Sequence, residues 1–169
     1  IRIPSANQGL PGLLEGVGSM IQKIERNKKQ YLDLLLQADP DETMIDRYLE
    51  KGEMYVLFEE GEALAEAVLL DRGGGVCELM NLAVRPDFQG RGLGGRMIRH
   101  LFDQARSRFH TMLVGTADAS GQALHVYQRE GFTVDHRIPR FFLEHYAQPV
   151  IEDNGVQCVD MVVLKKALR

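Results

Sequence analysis

The segment Asn81-Leu82-Ala83-Val84-Arg85-Pro86-Asp87-Phe88-Gln89-Gly90-Arg91-Gly92-Leu93-Gly94-Gly95 passes from an apolar run, through a cluster of glycines, into a helical pattern. Glycine lets the backbone take positive φ and come close to a ligand. The helix that follows presents unpaired N–H groups and a partial positive charge at its first turn, which is an anion site. Arg91 and Arg96 add cationic reach. The lysine of a phosphate-binding G-x-x-x-x-G-K loop is missing, so a nucleoside triphosphate is disfavoured. Gly90-x-Gly92-x-x-Gly95 does match the dinucleotide fingerprint, and Asp118 follows 23 residues after Gly95, where a ribose-binding acid could sit. Against that match, Arg85 to Gln89 separate the strand from its first glycine.

Upstream of this segment the pattern is that of strands. Met54 to Phe58, Ala63 to Leu70 and Val76 to Val84 read as an antiparallel meander, turned at Glu60-Gly61 and at Gly73-Gly74-Gly75. Downstream, Leu93, Met97, Ile98, Leu101, Phe102 and Ala105 form one face of a strongly periodic helix. Thr111 to Ala117 is expected to be a strand. Ser120 to Glu130 is expected to be a helix ended by Gly131. Phe132 to Arg137 and Val156 to Leu164 complete the strands, joined by a long link that carries Phe141, Phe142, Glu144, His145, Tyr146, Glu152 and Asp153. At the N-terminal side, Ile1 to Ile3 reads as a short edge strand. Leu13, Leu14, Val17, Met20, Ile21 and Ile24 trace a helical face, weakened by Gly12, Gly16 and Gly18. Asp41 to Lys51 reads as a second helix, with acidic residues at its start. Such an order predicts an α+β fold with a mixed, mostly antiparallel sheet in a single domain over residues 1–169.

Composition narrows the function. The 169 residues carry a net charge of −4, so nucleic acid is not the expected partner, since neutralising phosphates needs clustered Lys and Arg. No apolar run is long enough to span a membrane, and no leader pattern opens the sequence, so a cytoplasmic protein without membrane contact is expected. Two cysteines, Cys77 and Cys158, lie inside apolar runs without a C-x-x-C pair, and the histidines lack ligand spacing, so no metal is expected.

Gln89-x-x-Gly92-x-Gly94 resembles the pyrophosphate-binding motif Q/R-x-x-G-x-G/A of the GNAT superfamily of N-acetyltransferases. Leu82-Ala83-Val84-Arg85-Pro86 is similar to that family's strand end. Ala123 with Val126-Tyr127-Gln128-Arg129-Glu130-Gly131-Phe132 resembles its A-x-x-L-Y-E-K-x-G-F signature. The resemblance covers Met54 to Leu168. It implies a GNAT-type sheet splayed around acetyl-CoA and flanked by helices, with acetyl transfer to a primary amine of a small molecule or peptide and no metal. A homodimer is an assembly it leaves open.

The same resemblance implies roles for individual residues. Leu82, Ala83 and Val84 would run beside the pantetheine arm, with the Leu82 N–H polarising the thioester carbonyl. Gln89, Gly90, Arg91, Gly92, Leu93, Gly94 and Gly95 would hold the pyrophosphate. Ser120 stands where relatives often carry Asn. It would hydrogen-bond near the cofactor or, on the plainer reading, cap the helix, a role Asp118 could also fill. Tyr127 would be the general acid toward the CoA sulfur; packing in the core is the competing reading. Glu78, eleven residues before Gln89, is similar to the strand glutamate that acts as general base in histone-acetylating relatives. Its apolar strand should raise its pKa, whereas on an exposed face it would simply be solvated. Two other functions stay open on the residues: a non-catalytic acyl-CoA-binding module and a dinucleotide-dependent oxidoreductase.

Overall fold

A computed structural model describes residues 18–169. Among them the order is β1 (Ser19–Ile24), α1 (Leu32–Ala38), α2 (Glu42–Asp46), β2 (Glu53–Glu59), β3 (Glu62–Gly73), β4 (Val76–Val84), α3 (Leu93–Ala105), β5 (Thr111–Ala117), α4 (Gly121–Arg129), β6 (Thr133–Ile138), α5 (Phe141–His145) and β7 (Met161–Ala167). The sheet runs β1-β2-β3-β4-β5-β7-β6. Every neighbouring pair is antiparallel except β4 and β5. The meander, both long helices and the strand between them lie where the sequence puts them.

Three sequence expectations are corrected. Ser19–Ile24, expected as the end of a helix, is a strand. A few apolar residues at helical steps also fit a short strand, and the free edge of β2 decides the matter by pairing with it from Ser19↔Glu59 to Ile24↔Met54. The remainder of that expected helix, and the strand expected at Ile1 to Ile3, lie outside the described residues. Helix α1 has no counterpart among the expected elements; it buries Leu34, Leu35 and Ala38. The last strand begins at Met161 rather than Val156, because Val150 to Asp160 is held as a separate strap. Within the strap Ile151 pairs with Gln157, and Asp118 accepts from Val159 N at 3.1 Å.

The sheet separates two cores. One lies toward α3 and α4, and α3 contributes Leu93, Met97, Ile98, Leu101, Phe102 and Ala105 to it. Burial of each large side chain contributes about 1.5–3 kcal/mol. The other lies under α1 and α2 and holds Leu35, Ile45, Tyr48, Leu49, Met54, Val56 and Val68. Buried Lys28 donates to the carbonyls of Leu49, Glu50 and Gly52, satisfying acceptors in the turn between α2 and β2.

Glu66 on β3 is fully buried, and neither carboxylate oxygen has a hydrogen-bond partner among the described residues. Burial drives its pKa well above the ordinary carboxylate value, so the folded protein holds it protonated. The raised folded pKa means its stability contribution is complete below the unfolded pKa and is lost as pH rises toward the folded one. Between those values the loss is about 1.4 kcal/mol per pH unit. Glu66→Gln does not titrate, so its stability relative to wild type should grow between pH 5 and pH 7 in urea unfolding. A difference independent of pH would mean that Glu66 is not held neutral.

Candidate active site

The site begins where β4 leaves β5. The two strands pair only from Val76↔Thr111 to Leu79↔Val114. Beyond that point Met80 is an extra residue in β4, because Leu69 faces Leu79 while Val68 faces Asn81. The bulge turns β4 away from β5. On β5, Gly115 gives room to Met161, whose Sδ would lie 2.6 Å from an added Cβ. A gap opens between Met80–Val84 and Gly115–Ala117.

Gln89 fixes which backbone groups face the gap. Its side-chain amide donates to the Val84 carbonyl at 3.0 Å, so that carbonyl is turned away from β3. Alternation along a strand then turns the Leu82 and Val84 backbones into the gap and the Ala83 backbone toward its β3 partner, Glu66. Leu82 and the Val84 N–H are therefore available to pair with an extended arm, whereas Ala83 offers no free backbone group there.

A cleft of about 390 Å³ continues from this edge, lined by Leu82, Val84, the Gln89–Gly95 loop and one face of α4. Gly90 and Gly92 have φ of +79° and +77°, which glycine adopts without strain. Gly92 caps α3, and a Cβ there would meet no atom within 4 Å, so it borders open space. Gly95 instead makes room for side chains, since a Cβ would meet Glu130 Oε1 at 2.7 Å, beside the Arg99–Glu130 ion pair. Arg91 is directed elsewhere, with Nη2 3.2 Å from Glu59 and its guanidinium over the Phe88 ring. The cleft's cation is instead Arg129, which lines it with Gln122, His125 and Val126. Their spacing of i, i+3, i+4 and i+7 places them on one face of α4, a pattern legible in the sequence but not used there.

A second cavity, of about 330 Å³, adjoins the gap at Met80 and at Gly115 to Ala117. It lies on the α1–α2 side of the sheet. Phe141, Phe142, Tyr146 and Glu152 of the long link line it, as do Asp39, Arg47 and Tyr48 of the opposite wall. Glu144 and His145 do not line it; they pack on Arg140 and Phe141. Tyr146 donates to Asp39 at 3.1 Å, and burial raises the Asp39 pKa. Ser120 stands at the start of α4 without a side-chain cap and is bonded to Glu152 instead, so it braces the second cavity rather than lining the cleft. Asp118 anchors the strap.

Glu78 sits beside this cavity. Its register partner Leu70, its ion-pair partner Arg72 and Met80 all line the wall. Arg72 Nε lies 2.9 Å from Glu78 Oε2, an ion pair without the alignment of a hydrogen bond. Burial raises the carboxylate pKa and Arg72 opposes the rise. Tyr127, on α4, is completely buried, and its hydroxyl has no hydrogen-bond partner among the described residues. Burial holds its pKa well above the ordinary phenol value. Both cysteines are free and buried, and burial pushes each thiol up to about 12. Among the described residues no group of His, Cys, Asp and Glu is placed to hold a metal, and no helix is long and apolar enough to cross a membrane.

Comparison with known proteins agrees with this geometry. The model of the Acetyltransferase (GNAT) family matches residues 21–132. YvbK of Bacillus subtilis (strain 168), an uncharacterized N-acetyltransferase, is 36% identical over 141 residues, covering 83% of this chain and 90% of YvbK. A GNAT family acetyltransferase from Elizabethkingia anophelis, crystallised with acetyl-CoA bound, superposes with a TM-score of 0.85 at 30% identity, over 89% of this chain and 99% of that one. A Bacillus subtilis acetyltransferase in complex with CoA gives 0.83 at 34% identity, over the same shares of the two chains.

Proposed function

The chain belongs to the GNAT acetyltransferase family, and from that premise we propose that it acetylates the primary amine of a small molecule or peptide by direct attack in a ternary complex. The observation that carries this reading is the pair of cavities meeting at the gap between β4 and β5. Leu82 and Val84 border the first, and Met80, two residues away on the same strand, borders the second. That arrangement suits a donor and an acceptor bound together.

Acetyl-CoA supplies an acyl group already activated as a thioester. The glycine loop and the start of α3 would hold its pyrophosphate, with Arg129 of α4 nearby. The Leu82 N–H, turned into the gap, would stabilise negative charge developing on the carbonyl oxygen. Glu78 would accept the proton that the amine loses, directly or through a water, its raised pKa making it a better base than an ordinary carboxylate. Tyr127 would return a proton to the departing sulfur. An amide bond forms, a thioester bond breaks, and one proton passes from nitrogen to base while another passes from acid to sulfur. Buried thiols with pKa about 12 are poor nucleophiles at neutral pH, which supports direct transfer over an acyl-enzyme. Two free cysteines also suit the reducing cytoplasm, the compartment we assign it.

The test is thiol release from acetyl-CoA with a panel of amines, in wild type and in Glu78→Gln. Activity requires the deprotonated base, so wild-type kcat/KM for the amine should rise with pH through an acid limb displaced above the usual carboxylate range. Glu78→Gln should lower kcat/KM at pH 7 by about 10²-fold and flatten that limb. The loss should shrink at high pH, where free amine is abundant. If rate and limb are both unchanged, another group or solvent is the base.

A further inference from the structure

The charge and shape of the second cavity narrow the acceptor further; this step rests on the acetyltransferase reading above. Its charged lining holds two carboxylates, Asp39 and Glu152, and two guanidiniums, Arg47 and Arg72, with the Glu78 carboxylate beside it. A polyamine would need several unengaged carboxylates, and among the described residues Asp39, Glu152 and Glu78 all have partners. Three of the four groups are already engaged. Asp39 accepts from Tyr146 and from the Asp41 N–H, Glu152 accepts from Ser120 and Cys158, and Arg72 pairs with Glu78. Arg47 is the exception. Its charge reaches Asp41 through space, yet its guanidinium has no hydrogen bond or ion pair among the described residues. Between the charged groups the wall is aromatic. Phe142 stacks on Tyr146 with ring centres 5.5 Å apart, and Phe141 meets Phe142 edge-on at 5.3 Å.

We infer that the acceptor is an amino carboxylate with an apolar or aromatic body, its carboxylate held by Arg47 and its amine delivered to the gap beside Glu78. A guanidinium fork binds a carboxylate through paired charge-assisted hydrogen bonds. The aromatic wall takes the body of the solute. The carboxylate of the solute then answers the unpaired guanidinium, and its amine end answers the Glu78 side. In the reaction the bound ammonium first gives one proton to solvent. The neutral amine then gains the acetyl group and gives a second proton to the base. The thioester C–S bond breaks, and CoA leaves as the thiol with the proton from the acid, so the product is an N-acetylamino acid with its carboxylate intact.

The experiment uses the full chain with three probes: L-phenylalanine, phenethylamine, which keeps the ring and amine but lacks the carboxylate, and spermidine. Binding to the CoA-loaded protein is read by calorimetry and turnover by thiol release. Wild type should prefer phenylalanine over phenethylamine by about tenfold or more in both readouts, and spermidine should be the poorest. In Arg47→Gln the ratio of phenylalanine to phenethylamine should fall to about one. Arg47 is exposed, and an unchanged melting temperature would show that the variant is folded. Turnover of phenethylamine or spermidine equal to or better than that of phenylalanine overturns the acceptor assignment and leaves the acetyltransferase reading standing. A preference unchanged by Arg47→Gln also overturns it. If no amine consumes acetyl-CoA, the acetyltransferase reading fails, and the calorimetric preference still decides whether this cavity recognises an amino carboxylate.

Discussion

Tyr127→Phe is expected to lower turnover by roughly 10²–10⁴-fold while acetyl-CoA affinity stays nearly constant. The phenol is fully buried and its pKa is held well above the ordinary value, so at working pH it carries its proton, as the proposed acid must. A departing thiolate is the group that needs such a donor. The substitution removes the proton and little else. The ring keeps its edge-on contact with Phe132, with centres 5.6 Å apart. The hydroxyl it deletes has no partner among the described residues, so its loss should be neutral or slightly stabilising. Single-turnover thiol release measures the chemical step, and thermal shift measures binding. The loss should be the same from pH 6 to pH 9, because the phenol does not titrate in that range. A variant that keeps more than about a third of wild-type turnover, with chemistry rate-limiting, would leave Tyr127 with only a packing role.

Gly92→Val should abolish most of the stabilisation that acetyl-CoA confers. For wild type that gain is about 2.7 kcal/mol at a hundred times the dissociation constant. Two effects act together in the variant. A β-branched residue at φ +77° is strained by about 1–3 kcal/mol. Its side chain also enters open space at the mouth of the glycine loop, where the pyrophosphate would approach. Gly61 separates the two effects. It has φ +78°, equally open surroundings and a place in the β2–β3 turn away from the cleft. Gly61→Val should lose comparable thermal stability and retain the full acetyl-CoA shift. Equal shifts in Gly92→Val and wild type would remove the phosphate site from this loop.

Features that depend on local periodicity and on backbone chemistry were legible in the residues alone. The meander, α3, β5 and α4 are written in alternation and in 3.6-residue spacing. The φ > 0 positions at Gly90 and Gly92 are legible because glycine adopts that backbone without strain. Glu78 stands out through its apolar strand, and Tyr127 through its place in the motif that resembles the family signature. The remaining features were decided by the tertiary fold, because they depend on which surfaces meet. The run at Ser19–Ile24 became a strand only because the edge of β2 was free to pair. Arg91 has the character of a phosphate ligand until Glu59, distant in sequence, claims its charge, and Arg129 of α4 lines the cleft in its place. Ser120 is claimed in the same way by Glu152. The second cavity joins α1, α2, β3, β4, β5 and the strap, and no local pattern records that junction. An ion pair or a cavity wall requires residues brought together across the chain, and periodicity carries no information about which partners the fold supplies.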